Sequence, residues 1–139
     1  MAVSLRQEKA SANVDRQALE QWRPFLGLFF DSMEQGLREL RSLTESLAHS
    51  EDPRSLRLFH MRAHALRGAA DTVGLKDVAA LLRKLEREVS PRADTTRVFD
   101  PTRLHRELDH IWAAYWSAKS ALVHALEAEV EDQDPCGGR

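Results

Sequence analysis

FHMRAHALRGAADTVGLKDVAALLRKLEREV, residues 59–89, holds two successive apolar stripes separated by a glycine. In the first, Phe59, Ala63, Leu66, Ala70 and Val73 follow i, i+4, i+3 spacing, which places them on one face of a helix. Gly74 then ends the pattern, and Val78, Leu81, Leu82, Leu85 and Val89 begin a second stripe over Lys76–Val89. Neither run alternates with a period of two, so strands are excluded here. The pair reads as two amphipathic helices folded back on each other at Gly74.

Working outward, Asp52-Pro53 is a helix start, a capping side chain followed by a proline whose missing N–H costs nothing in the first turn. Asp100-Pro101 repeats it and opens a last helix with Leu104, Leu108, Ile111, Tyr115, Ala118, Leu122 and Ala125 on one side. Ser90-Pro91 stops the preceding helix, and SPRADTTRV is a polar connector. Upstream, Leu26, Phe30, Met33, Leu37, Leu40 and Leu47 mark another long helix with Pro24 in its first turn, while Asp15 caps a short one through Trp22. The predicted fold is all-α: an antiparallel four-helix bundle over residues 15–130 with an extra short N-terminal helix. Residues 1–14 read as a flexible arm and 131–139 as a flexible acidic tail.

The 139 residues are enough for one core and too few for two. Twenty basic and 22 acidic residues give a net charge of −2, which provides no field for nucleic acid or an anionic membrane. No apolar run reaches the roughly 20 residues of a membrane span, and the N-terminus lacks a signal-peptide pattern, so a cytoplasmic protein is expected. With Cys136 as the single cysteine, an internal disulfide and a cysteine zinc site are excluded by count.

At 100° per residue, His64 points about 160° away from Leu66 and therefore outward. Arg67 and Gly68 follow one turn on, and Arg57, His60 and Asp71 share this face. A neutral imidazole has one unprotonated nitrogen and is a nucleophile at physiological pH. If that nitrogen takes a phosphoryl group, the negative charge gained is stabilised by a cation one turn away, the place of Arg67. A glycine inside a helix costs about 1 kcal/mol relative to alanine. Gly68 beside the histidine therefore suggests clearance for an approaching partner.

Residues 64–86, HALRGAADTVGLKDVAALLRKLE, closely resemble the signature of histidine-containing phosphotransfer (HPt) domains: histidine, any residue, leucine, a basic residue, glycine and two small residues. Val73-Gly74-Leu75 matches the family's helix end, and Leu81, Leu85 and Glu86 fall where its next helix and Leu-Glu pair stand. The resemblance implies a four-helix bundle with His64 as phosphoacceptor, Arg67 in place of the usual lysine and Gly68 as the clearance position. His60, Asp71 and Glu86 would flank the group or the docked partner. It further implies a monomeric carrier, not an enzyme, that takes phosphate from the receiver domain of a hybrid sensor kinase and passes it to a response regulator. No resident cofactor is expected, since Mg²⁺ and the catalytic carboxylates belong to the receiver. Four positions depart from the pattern: Arg67 is a planar fork, Ala69 and Ala70 replace common serines, and Leu82 replaces a smaller residue.

The motif also resembles the phosphoacceptor domain of a chemotaxis-type kinase, and an exposed helix face serves equally for a docking adaptor that carries no phosphate. His60 and His64 are spaced like zinc ligands, but two ligands are too few. His49, His105, His110 and His124 are expected on the surface without a shared site. Trp22, Trp112 and Trp116 are expected in core or bundle-end packing. Arg83, Lys84 and Arg87 form either a solvated face or a surface that steers an acidic partner. Cys136 before Gly-Gly-Arg is a tail thiol and not a prenylation box. The geometric prediction is an exposed His64 ring; a structure with that ring in the core would overturn the reading.

Overall fold

The computed structural model describes residues 20–21, 23–49, 52–89 and 100–133. Within them lie a 3-10 turn, Arg23–Phe25, and four helices: α1 (Leu26–His49), α2 (Pro53–Val73), α3 (Lys76–Glu88) and α4 (Pro101–Gln133). There is no strand among the described residues. Asp15, Trp22, the arm 1–14, the connector 90–98 and the tail from 134 lie outside the described residues. Of the expected short N-terminal helix, only residues 20–21 are described, and they are helical. Pro24 sits in the 3-10 turn and not in α1 itself, while α4 runs three residues into the stretch read as tail, to Gln133.

The helix ends follow local chemistry. Asp52 Oδ1 accepts from the Arg54 N–H at 3.1 Å with Pro53 next in line. Asp100 Oδ1 accepts from Thr102 and Arg103 at 3.1 and 3.3 Å. Gly74 stops α2 in the left-handed region, φ 92°, where a side chain would be strained. Its N–H and that of Leu75 both return to the Ala70 carbonyl, 3.0 and 2.8 Å away. This closing turn fixes how α3 comes back along α2.

Each helix packs on its two neighbours in a ring, α1 on α2, α2 on α3, α3 on α4 and α4 on α1. Paired ion bridges run in opposite chain directions and show the antiparallel order at two seams, Lys84 with Glu107 and Glu88 with Arg103 between α3 and α4, and Glu34 with Lys119 and Arg41 with Asp109 between α1 and α4, while Arg62 pairs with Glu39 across α1 and α2. The expected stripes fill the core. Phe59, Ala63, Leu66, Ala70 and Val73 of α2 meet Leu26, Phe30, Met33, Leu37, Leu40 and Leu47 of α1, Val78, Leu82 and Leu85 of α3, and Leu104, Leu108, Ile111, Tyr115, Ala118 and Leu122 of α4. Leu81 and Ala125 are only half-buried, because each stands at the edge of its stripe, beside the seam and not over the centre.

Two core features were not apparent from the stripes. Gly36 is buried at the α1–α2 seam, where a Cβ would press against the Leu66 side chain, with Cγ and Cδ1 at 3.1 Å. The fully buried Tyr115 sends its hydroxyl proton to Glu34 Oε2 at 2.6 Å, the same oxygen that accepts from Lys119 Nζ at 2.7 Å. The hydrogen bonds from Lys119, and then from Tyr115, hold the Glu34 carboxyl below its ordinary value. Burial first, and then the bond to Glu34, push the Tyr115 phenol up.

The two shifts act at opposite ends of the pH scale. A carboxyl lowered from 4.5 contributes stability that is present above that value and lost as pH falls through the folded value. A phenol raised from 10.0 contributes stability that is present below that value and lost as pH rises beyond it. Urea midpoints measured against pH should therefore fall in acid and again above pH 10.0. Tyr115→Phe should flatten the alkaline limb and Glu34→Gln should reduce the acid one. In the same assay Gly36→Val should cost about 1–3 kcal/mol by overpacking, whereas Gly27→Ala, whose added Cβ meets nothing within 4 Å, should gain up to about 1 kcal/mol.

Candidate functional site

On α2, the positions facing away from the core stripe carry His64 and Gly68, with Arg57 and Asp71 beside them, all exposed. The His64 side chain is 61% accessible, on the outward face that helical spacing assigned to it. Gly68 is open as well: an added Cβ would meet nothing within 4 Å. The chain's own packing therefore does not require glycine there.

Glu86 organises the site. It is the α3 residue after the core Leu85 and lies one turn beyond Leu82, so its carboxylate enters the α2–α3 seam and is 8% accessible. Oε1 lies 2.6 Å from His64 Nδ1, and Oε2 accepts from Arg67 Nε at 2.5 Å. A buried carboxylate needs such partners, because an unpaired one would forfeit its hydration without compensation.

The contacts also decide the tautomer. Arg67 Nη2 stands 3.0 Å from the same Nδ1, and one ring nitrogen cannot both donate to Glu86 and accept from Arg67. With Nδ1 bare, a carboxylate oxygen would face a lone pair at 2.6 Å, a repulsive contact between two acceptors. The charge-assisted bond from Nδ1–H to Glu86 is therefore the arrangement that holds, and Arg67 neutralises the carboxylate from its other oxygen. In the neutral ring the unprotonated nitrogen is Nε2, which has no hydrogen-bond partner among the described residues.

Arg67 departs from expectation. It shares the α2 face with His64, yet its side chain is only 22% accessible, because it lies back into the seam toward Glu86. Its Nη1 is 3.6 Å from Asp71, which also faces Arg83 at 4.0 Å. His60, half-buried, joins His64, Arg67, Arg83, Glu86 and Arg87 around a shallow basin of about 640 Å³. All six residues singled out in the sequence, His60, His64, Arg67, Gly68, Asp71 and Glu86, thus fall on the α2–α3 side of the bundle.

Elsewhere, His49, His110 and His124 are exposed and His105 is half-buried, and no group of three metal-ligating side chains occurs among the described residues. Trp112 is half-buried against the core, but Trp116 is 46% accessible and stacks on it at 5.7 Å, so the expected core or bundle-end packing holds for Trp112 and not for Trp116. No helix among the described residues is long and apolar enough to cross a membrane.

The burial of Glu86 had one readable signal. Its position is within 40° of the stripe formed by Leu82 and Leu85, and an acid at a core edge calls for a partner. Which partner it finds depends on the docking of α2.

The chain matches the family model for the Hpt domain over residues 24–114. No curated protein and no solved structure matches it.

Removal of the Glu86 carboxylate should free the ring. In Glu86→Ala, nitrogen NMR of His64 should show loss of the Nδ1–H preference, with protonated Nε2 becoming populated at neutral pH. Urea unfolding should register a loss of about 1–3 kcal/mol from the half-buried Arg67 left without its acceptor.

Proposed function

Because this chain belongs to the Hpt domain family, whose members serve histidine phosphotransfer in phosphorelays, we propose that His64 is its phosphoryl carrier, charged by the receiver domain of a hybrid sensor kinase and discharged to a response regulator. The observation that carries this reading is an outward ring whose Nδ1 lies 2.6 Å from Glu86 Oε1; the proton that contact calls for on Nδ1 leaves Nε2 as the nucleophile. Nε2 attacks the phosphorus of the receiver's aspartyl phosphate; the P–Nε2 bond forms, the P–O bond breaks, and the electron pair leaves with the aspartate. The imidazole becomes cationic with its proton still on Nδ1, and Glu86 stands against that charge at 2.6 Å. No proton has to leave for the transfer to be reversible.

The remaining residues divide the work. Arg67 neutralises Glu86 and places positive charge beside the ring. Gly68 leaves room for the receiver, and His60 and Asp71 border its footprint. Mg²⁺ and the acids that stabilise the transferring group come with the receiver, so this chain acts as a carrier and not as an enzyme. We take it to work as a cytoplasmic monomer.

His64→Gln should abolish labelling by a phosphorylated receiver while leaving the urea midpoint near that of the parent; label retained on histidine would overturn the assignment. Gly68→Gln should fold, since nothing lies within 4 Å of the added Cβ, yet should slow transfer by about tenfold or more if clearance is its purpose.

A further inference from the structure

The cations around the His64 basin are unequally committed. Arg67 is committed to the seam through Nε, which donates to Glu86 at 2.5 Å, and through Nη1, 3.6 Å from Asp71, while Nη2 stands 3.0 Å from the protonated Nδ1 and makes no bond to it. The Glu86 and Nη2 contacts both lie at Nδ1. Turning Arg67 toward a phosphoryl group on Nε2 would break its bond to Glu86, whose side chain is 10% accessible in the seam. The residue that looks like the phosphate clamp in sequence is thus held in place by another task.

Arg83 is differently placed. It sits one turn before Glu86 on α3, lines the same basin as His64, and keeps its side chain 52% accessible. Among the described residues it meets a carboxylate only at Asp71, 4.0 Å away. Asp71 retains Arg67 when Arg83 moves, and an exposed pair at that separation contributes little. A phosphoryl group brings up to two negative charges and three acceptor oxygens, which a guanidinium fork can bind in pairs.

We propose that Arg83 is the phosphoryl-binding residue of this site: when His64 is phosphorylated, Arg83 exchanges Asp71 for the phosphoryl oxygens. This rests on the reading of His64 as the carrier. Asp71 is then the carboxylate that competes with the phosphoryl oxygens for Arg83. Asp71 thereby tunes how readily the group is passed on.

The test uses the full chain and a phosphorylated receiver with Mg²⁺, with two readouts: the equilibrium ratio of phosphohistidine to phosphoreceiver, and the lifetime of phospho-His64 after the receiver is removed. Arg83→Ala should move the equilibrium away from His64 by about three- to tenfold, with less effect at high salt. Arg83→Lys should recover part of the loss. Asp71→Asn should move the equilibrium the other way, and this gain should shrink in the Arg83→Ala background, since the two act through one another. Arg106→Ala, the same charge change at an exposed position of α4, should stay within about twofold. If Arg83→Ala matches Arg106→Ala in both readouts, or if Asp71→Asn acts undiminished without Arg83, the assignment falls while His64 remains the carrier. If the parent chain takes no label on His64, both readings fall.

Discussion

A single buried carboxylate, that of Glu86, ties the scaffold to the chemistry. Placed in the α2–α3 seam, it would be costly if unpaired, and it is satisfied from one helix by two side chains three residues apart, His64 and Arg67. The same bond that compensates its burial selects the tautomer of the exposed ring. Holding Nδ1–H against Glu86 leaves the lone pair on Nε2, facing outward from the bundle. Arg67 pays for this arrangement by folding into the seam, which removes it from the open surface where helical spacing alone would place it.

Around that seam the bundle does what an organising scaffold must. Gly74 turns the chain so that α3 returns along α2, bringing Glu86 opposite His64. Gly36 lets α1 come close to α2 beneath Leu66, and the Glu34, Lys119 and Tyr115 cluster closes the α1–α4 side. The site itself is shallow and open, with no cavity to enclose a substrate and no triad of metal ligands among the described residues. On the phosphocarrier reading, such a site offers an approaching partner an accessible ring held in a fixed orientation by Glu86.

Gly27 and Gly68 both occupy open helix positions, yet they mean different things. Gly27 lies near the start of α1, where fraying lowers the cost of a poor helix former. Gly68 stands mid-helix beside His64, where the cost is undiminished and no contact among the described residues explains it. The difference lies in position along the helix, and only the second bears on the docking surface that the phosphocarrier reading requires.

Much of this was legible in the residues. Helical periodicity and the signals at Asp52, Gly74 and Asp100 are local, set by one turn of backbone and its immediate side chains, so the helices, most of the core and the outward direction of His64 follow from the sequence alone. The motif from His64 to Glu86 is likewise read directly. What only the tertiary structure decided is what depends on two helices meeting: the half-exposure of Leu81 and Ala125 at seam edges, the close approach over Gly36, the partner of Tyr115, and the inward turn of Arg67. The protonated nitrogen of His64 belongs with these. Its tautomer is set by a carboxylate 22 residues away, and no periodicity within a single helix contains that distance.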